Sequence, residues 1–399
     1  MRSQPSTHST CSPPLSSQSA ARSAPSSPRS FAARKRQRAR SIRLPFKRRA
    51  DMSDISKIDK NFTVETELNL PDVVFYDVKE NPFCLFGAHY ENGCYRRIPE
   101  ALAKALNPRI EALHTNTSGA RLRFMTDSPY VAISAVMPPN GPMTHMANTG
   151  SAGFDMYLGE RYVQNFVPPC PFTRNGYDSV RDLPGEGLRE VTVNFPLYHN
   201  VNELRLGLKE GAKFLPIPEE KVGKKVLFYG SSITQGGCAS RPGSAFPNLL
   251  AHKLGFDLVC LGFSGNAKGE DEMCDYIAEQ NPDVFVYDYD HNAPTYEHLE
   301  KTHERFFLRF REAHPDTPVI MLSAPNALFN PSWFFPRRDM VKKTYENAVA
   351  RGDENVYFID GSTIFGDDWY LCTVDGCHPN DLGHYRMAMG ILPVLEKLL

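Results

Sequence analysis

Four apolar runs in this chain are each followed by residues able to take part in nucleophilic chemistry. "KVLFY" runs into "GSS" (Gly230, Ser231, Ser232), and "FDLVCL" runs into "GFSGN", which holds Gly265 and Asn266. "DVFVY" is followed by "DYDHN", ending at Asn292, and "NVYFID" leads towards "DGCHPN", which contains Asp375 and His378. A hydroxyl, a glycine amide, a carboxamide and an Asp/His pair are the parts of a serine hydrolase: nucleophile, oxyanion donors, base and orienter. Each part also has an ordinary reading. Serines shape turns, glycine serves wherever φ is positive, Asn292 could cap the following helix, and His378 could be a loop histidine. Ser264 is a poor rival nucleophile, because "GFSGN" lacks the last glycine of G-x-S-x-G.

The elements around these residues give them a common place. From residue 224 onward, five apolar runs alternate with helical patterns such as "SAFPNLLAHKLG", "EDEMCDYIAEQN" and "RRDMVKKTYENAVARG". That grammar predicts a parallel sheet covered on both faces, with right-handed crossovers and all strands pointing one way. Ligands bind such sheets at the carboxyl ends of the strands. The candidate residues therefore converge on one edge.

Residues 61–220 read differently. Short stretches such as "TVETELNL", "RLRFMTDS", "YVAISAVM", "REVTVNF" and "ELRLGL" are separated by turn signals, with one helical stretch at "IPEALAKAL". This predicts an antiparallel β-sandwich. The connection "GLKEGAKFLPIPEEKVGK" contains two prolines, is stiffer than a Gly/Ser tether, and predicts two halves in fixed contact.

"GSSIT", "GFSGN", "DYDHN" and "DGCHPNDLGH" resemble, in order, the four blocks of the SGNH (GDSL-type) serine hydrolases, over residues 224–399. "GFDMY", from Gly153 to Tyr157, resembles the signature of the GxDLY module that precedes one branch of that family. The resemblance implies a flavodoxin-like five-stranded hydrolase domain and an esterase activity that needs neither cofactor nor metal. It implies Ser232 as nucleophile, His378 as base and Asp375 as its orienter. The oxyanion hole it implies is built from the Ser232 and Gly265 amides and the Asn292 side chain. Two positions depart from the pattern. Ser231 stands where the wider family has aspartate, and "DYDHN" lacks the usual glycines, leaving Asn266 as a competitor for Asn292. Asp155 in "GFDMY" is expected to fix a turn. The branch includes esterases of acetylated sugars, so an oligosaccharide ester is the expected substrate, and Trp333, Phe334 and Phe335 are candidates to stack on sugar rings or to pack as core. A lipase or thioesterase using the same triad is one alternative, and a carbohydrate-binding protein with a vestigial site is another.

Charge and cysteine content narrow the partners. Of 45 Lys and Arg, twelve lie in residues 1–50, which hold no Asp or Glu; the other 33 face all 46 acidic residues, a balance of −13. An acidic body argues against nucleic acid as partner, and no apolar run approaches a membrane span. The basic Ser/Pro/Arg-rich segment 1–51 is expected to be disordered. It lacks the apolar core of a secretory signal, an organelle-targeting role is open to it, and Met52 is a candidate start. Nine scattered cysteines are not a secreted disulfide framework and fit a reducing cytoplasm. Cys372, Cys377, His378 and His384 match no standard zinc spacing.

Overall fold

The computed structural model describes residues 59, 68–141 and 143–399; the expected disordered segment 1–51 and most of "TVETELNL" lie outside them. The N-terminal half has two antiparallel sheets packed together and a two-stranded ribbon that pairs His89–Glu91 with Cys94–Arg96. One sheet has four strands in the order Val73–Asp77, Glu203–Lys209, Tyr130–Val136 and Tyr177–Asp182. The other has five, in the order Leu85–Phe86, Arg121–Thr126, Arg189–Asn194, Phe154–Leu158 and Arg161–Phe166. Leu122, Phe124, Val191 and Val193 from one sheet meet Ile133, Leu204 and Leu206 from the other in a single apolar core. The expected helix is present at Glu100–Leu106. A second, Pro108–Leu113, starts on an Asn107 side chain that accepts from the Arg109 and Ile110 amides, a capping geometry suited to proline at the first helical position.

The C-terminal half is a five-stranded parallel sheet. Its strands in chain order are β1 (Lys225–Gly230), β2 (Asp257–Gly262), β3 (Val284–Asp288), β4 (Val319–Leu322) and β5 (Val356–Ile359). They lie side by side in the order β2-β1-β3-β4-β5, every pair parallel. The helices are α1 (Phe246–Leu254), α2 (Asp271–Glu279), α3 (Tyr296–Ala313), α4 (Pro331–Ala350) and α5 (Asp381–Leu395). Side chains alternate along each strand, which splits the core in two. Val226, Phe228 and Leu258 pack with α1 and α5, while Leu227, Tyr229, Phe285 and Tyr287 pack with α2, α3 and α4.

Helix α4 begins six residues before the "RRDMVKK" stretch that predicted it. Pro331 occupies its first turn, where its missing N–H costs nothing, and Pro336 is carried inside the helix.

Residues 59–399 pack as one unit, and the strand Arg121–Thr126 shows how. Leu122 and Phe124 face the sandwich core. Arg121 and Arg123 alternate with them but are also buried, at 3% and 6% exposure, because that face of the sheet abuts the parallel half. Arg121 pairs with Asp257 at 2.7 Å and donates to the Leu258 carbonyl at 2.9 Å. Arg97 reaches the end of β2, donating to the Gly262 carbonyl. Burial lowers the pKa of both Arg97 and Arg121 to about 10, so both remain charged near neutrality.

Candidate active site

The turn that carries Ser232 follows β1 because two glycines make room for it. A Cβ at Gly230 would lie 1.5 Å from Asp288 Oδ1, and one at Gly262 would lie 2.2 Å from the Gln235 amide. Ser231 is buried and its Oγ accepts from the Ile233 amide at 3.1 Å. The carboxylate absent at position 231 is supplied to the same turn by Asp288, at the end of β3. Asp288 accepts from Thr234 Oγ1 and the Ser231 amide. Burial raises its pKa well above the ordinary value, the Thr234 and Ser231 bonds oppose this, and nearby Asp290 adds to it. Asp290, also buried, is raised to about 6 despite bonds from the Ala324 and His291 amides.

Ser232 Oγ lies 3.0 Å from His378 Nε2, and His378 Nδ1 lies 2.7 Å from Asp375 Oδ2. Both oxygens of Asp375 are in use: Oδ1 accepts the Cys377 and His378 amides at 2.9 and 2.7 Å. The side chain therefore folds its own loop into a tight turn and orients the ring. Partial burial pushes the Asp375 carboxyl up, but the His378 amide and ring and the Cys377 amide outweigh it, and its pKa lies below the usual value.

The rest of "DGCHPNDLGH" fastens this loop. Pro379 accepts the Cys238 amide at 2.8 Å. The Asn380 side chain caps α5 through the Gly383 amide, and Asp381 accepts from the Ser240 amide at 2.8 Å.

Gly265 sits at φ +67°, and neither its amide nor that of Ser232 is hydrogen-bonded among the described residues. Asn292 is half-buried and gives one amide hydrogen to the Phe263 carbonyl at 2.9 Å, leaving the other available. Asn266 is buried and turned back on its own loop, donating to Ser264 at 2.7 Å. Ser232, His378, Asp375, Gly265 and Asn292 thus share one sheet edge, while the Asn266 amide is engaged within its own loop.

Four contributors had no role assigned from sequence. The Tyr198 hydroxyl, from the sandwich, donates to the Ser232 carbonyl at 3.0 Å. Gln235 accepts the Ser264 amide at 2.9 Å and donates to Asn116 and Leu197 of the sandwich at 3.3 and 3.2 Å, tying the loop of Gly265 across the two halves. Asn326, after β4, donates to the Gly376 carbonyl at 3.0 Å and steadies the His378 loop. Phe329 is half exposed and lies against Gly376, where a Cβ would come within 2.3 Å of its ring. Gln235 directly follows the first block, "GSSIT", but nothing in its spacing marks its partners.

Asp155 corrects an expectation. It lies within the strand Phe154–Leu158, not in a turn, and is fully buried. It accepts Asn194 Nδ2 at 2.8 Å, the Gly243 amide at 2.8 Å and Arg241 Nη1 at 3.2 Å. "GFDMY" is a clamp on the segment that follows the Ser232 turn. Burial raises the pKa of Asp155 although all three partners pull it down. Of the three aromatics, Phe334 is core, and Trp333 is partly exposed with Arg337 stacked 3.9 Å from its ring centre.

Residues 223–396 match the family model of the GDSL-like lipase/acylhydrolase family, and residues 73–214 match that of the N-terminus of SGNH-hydrolase-type esterases. The chain belongs to this family of carboxylic ester hydrolases. A structure described as a GDSL-like lipase from Bacteroides ovatus is 28% identical, with a TM-score of 0.72, over 82% of this chain and 98% of that one. SsfX3, a salicylyl-acyltransferase from a tetracycline biosynthetic pathway, is 21% identical with a TM-score of 0.65, over 82% and 95% of the two chains. A family two carbohydrate esterase from Cellvibrio japonicus shares the fold at 14% identity and a TM-score of 0.54, over 82% and 98%. No curated protein matches the chain in sequence. Among the described residues, no helix is long and apolar enough to cross a membrane.

Proposed function

We propose that the protein is a serine esterase that removes short acyl groups, acetyl foremost, from carbohydrates through an acyl-enzyme on Ser232. The observation that carries this reading is the relay from Ser232 Oγ to His378 Nε2 at 3.0 Å and from His378 Nδ1 to Asp375 at 2.7 Å. His378 takes the Ser232 proton as Oγ adds to the ester carbonyl, and Asp375 holds the ring and stabilises the imidazolium. The Ser232 and Gly265 amides and the free Asn292 hydrogen receive the charge on the tetrahedral oxygen. His378 then protonates the departing alcohol, and water repeats the sequence on the acyl-enzyme.

The carbohydrate acceptor is supported by the fold shared with a family two carbohydrate esterase. Exposed rings beside the His378 loop add to it: Phe329 at 51% and Tyr370 at 63% exposure offer faces for a sugar. The eight cysteines among the described residues are free thiols, which suits the reducing cytoplasm this reading assumes.

The deciding comparison is acetate release from acetylated oligosaccharides against hydrolysis of aryl esters of rising chain length. The reading expects acetyl to be preferred and the oligosaccharide to be turned over. Preference for long acyl chains or thioesters would favour the lipase or thioesterase alternative, and no turnover of any ester would favour a binding protein with a vestigial site.

A further inference from the structure

Beside the proposed triad stand two side chains that ester hydrolysis does not use, His145 and Cys238, and they cluster with the base His378. His145 comes from the sandwich, Cys238 from the segment after the Ser232 turn, and His378 from the loop before α5. Their ligating atoms all lie within 4.8 Å of one another. The His145 ring is 5.6 Å from that of His378, tilted by 56°. Cys238 is buried at 6% exposure, whereas His145 is exposed.

We propose that His145, Cys238 and His378 form a reversible inhibitory site for a borderline divalent cation of the zinc class. The inference rests on the reading of His378 as the catalytic base. Two imidazoles and a thiolate are a donor set that hard cations such as magnesium and calcium avoid and that zinc accepts. Zinc bonds of about 2.0–2.3 Å put tetrahedral ligands roughly 3.3–3.6 Å apart. The three atoms must therefore close by up to about 1.5 Å, and the exposed His145 side chain is free to swing inward.

The triad itself prepares His378 as a ligand. Asp375 holds Nδ1 at 2.7 Å and leaves Nε2, 3.0 Å from Ser232 Oγ, as the ring's other ligating atom, the carboxylate–histidine arrangement that orients metal-bound imidazoles. Binding releases the Cys238 thiol proton to solvent. It occupies the same Nε2 lone pair that must accept the Ser232 proton, so a bound metal and catalysis exclude each other.

The test has a spectroscopic arm and a kinetic arm, both on the full chain. In a Ser232→Ala background, cobalt(II) should bind one equivalent and show a thiolate-to-metal charge-transfer band. Adding Cys238→Ser should abolish the band, and adding His145→Ala should weaken binding by at least about tenfold. In the active protein, zinc should inhibit aryl-ester hydrolysis and a chelator should restore it. Cys238→Ser and His145→Ala should each raise the half-inhibiting zinc concentration at least about tenfold, with metal-free rates little changed. Absence of the cobalt–thiolate band overturns the site whether or not the protein hydrolyses esters. A band with zinc-insensitive hydrolysis, or inhibition that neither variant relieves, overturns the inhibitory role. A band in a protein inactive on every ester would sink the esterase reading and leave the metal site standing.

Discussion

Replacing Asp155 should damage the protein far more than replacing a turn residue would. The carboxylate is fully buried and satisfies three donors: Asn194 Nδ2, the Gly243 amide and Arg241 Nη1. Asp155→Ala removes the acceptor from all three and leaves the Arg241 guanidinium without its buried counter-ion. Breaking one side of such a pair costs about 3–5 kcal/mol. Asp155→Asn keeps the shape and avoids burying a charge, which offsets part of the loss, but turns an N–H₂ towards Arg241 and Gly243. Its cost should be about 1–3 kcal/mol, that of leaving buried donors unpaired. Chemical denaturation of both variants, followed by fluorescence and circular dichroism, measures the ranking. Arg241 follows the Ser232 turn closely, so esterase activity should fall along with stability, and further for alanine than for asparagine. A loss below about 1 kcal/mol for Asp155→Ala would refute the clamp, because a turn aspartate away from such a network changes stability only slightly.

Asn292→Ala should lower kcat by about 10²–10³-fold with little change in KM, as expected for one lost oxyanion donor, and Asn266→Ala should do less; steady-state kinetics in the opposite order would move the oxyanion hole. Phe329→Ala should raise KM for acetylated oligosaccharides while leaving small aryl esters nearly unchanged, and equal effects on both would remove the ring from the sugar site. His303 is buried between α3 and α4, bonded to Thr344 Oγ1 at 2.8 Å, and burial lowers its pKa to about 3. Because the unfolded chain takes up that proton near pH 6.5 and the native state does not, its contribution is fully present above that pH and lost on acidification towards 3. The stability lead over His303→Leu should therefore shrink by about 2 kcal/mol between pH 7 and pH 5, and a lead that is flat with pH would contradict the buried neutral ring.

The parallel half was legible because its physics is local. A strand buried on both faces is a continuous apolar run, and the polar residues after it stand out, which brought the segments of Ser232, Gly265 and Asn292 together. The Asp375–His378 loop lies well beyond the last strand, which ends at Ile359, and was picked out by the resemblance of its block. The sandwich was less so. The arginines of "RLRF" alternate with apolar residues as solvent-facing ones would, and nothing local reveals that a second domain covers them. Asp155 was misplaced for the same reason: Arg241, its ion-pair partner, lies 86 residues further along the chain. Tyr198 and Asn326 bond to backbone carbonyls, and such partners carry no side-chain signature. The start of α4 was hidden because Pro331 and Pro336 both read as breakers, although the first sits where proline is tolerated.

The central claim is that Ser232 is a nucleophile activated by His378. It is tested most directly by labelling the protein with an aryl fluorophosphonate and mapping the adduct by mass spectrometry. One equivalent should attach to Ser232, with fluoride released and esterase activity lost in proportion, and His378→Ala should suppress labelling on the same timescale. Labelling at another serine, or of Ser232 at an unchanged rate without His378, would contradict the account.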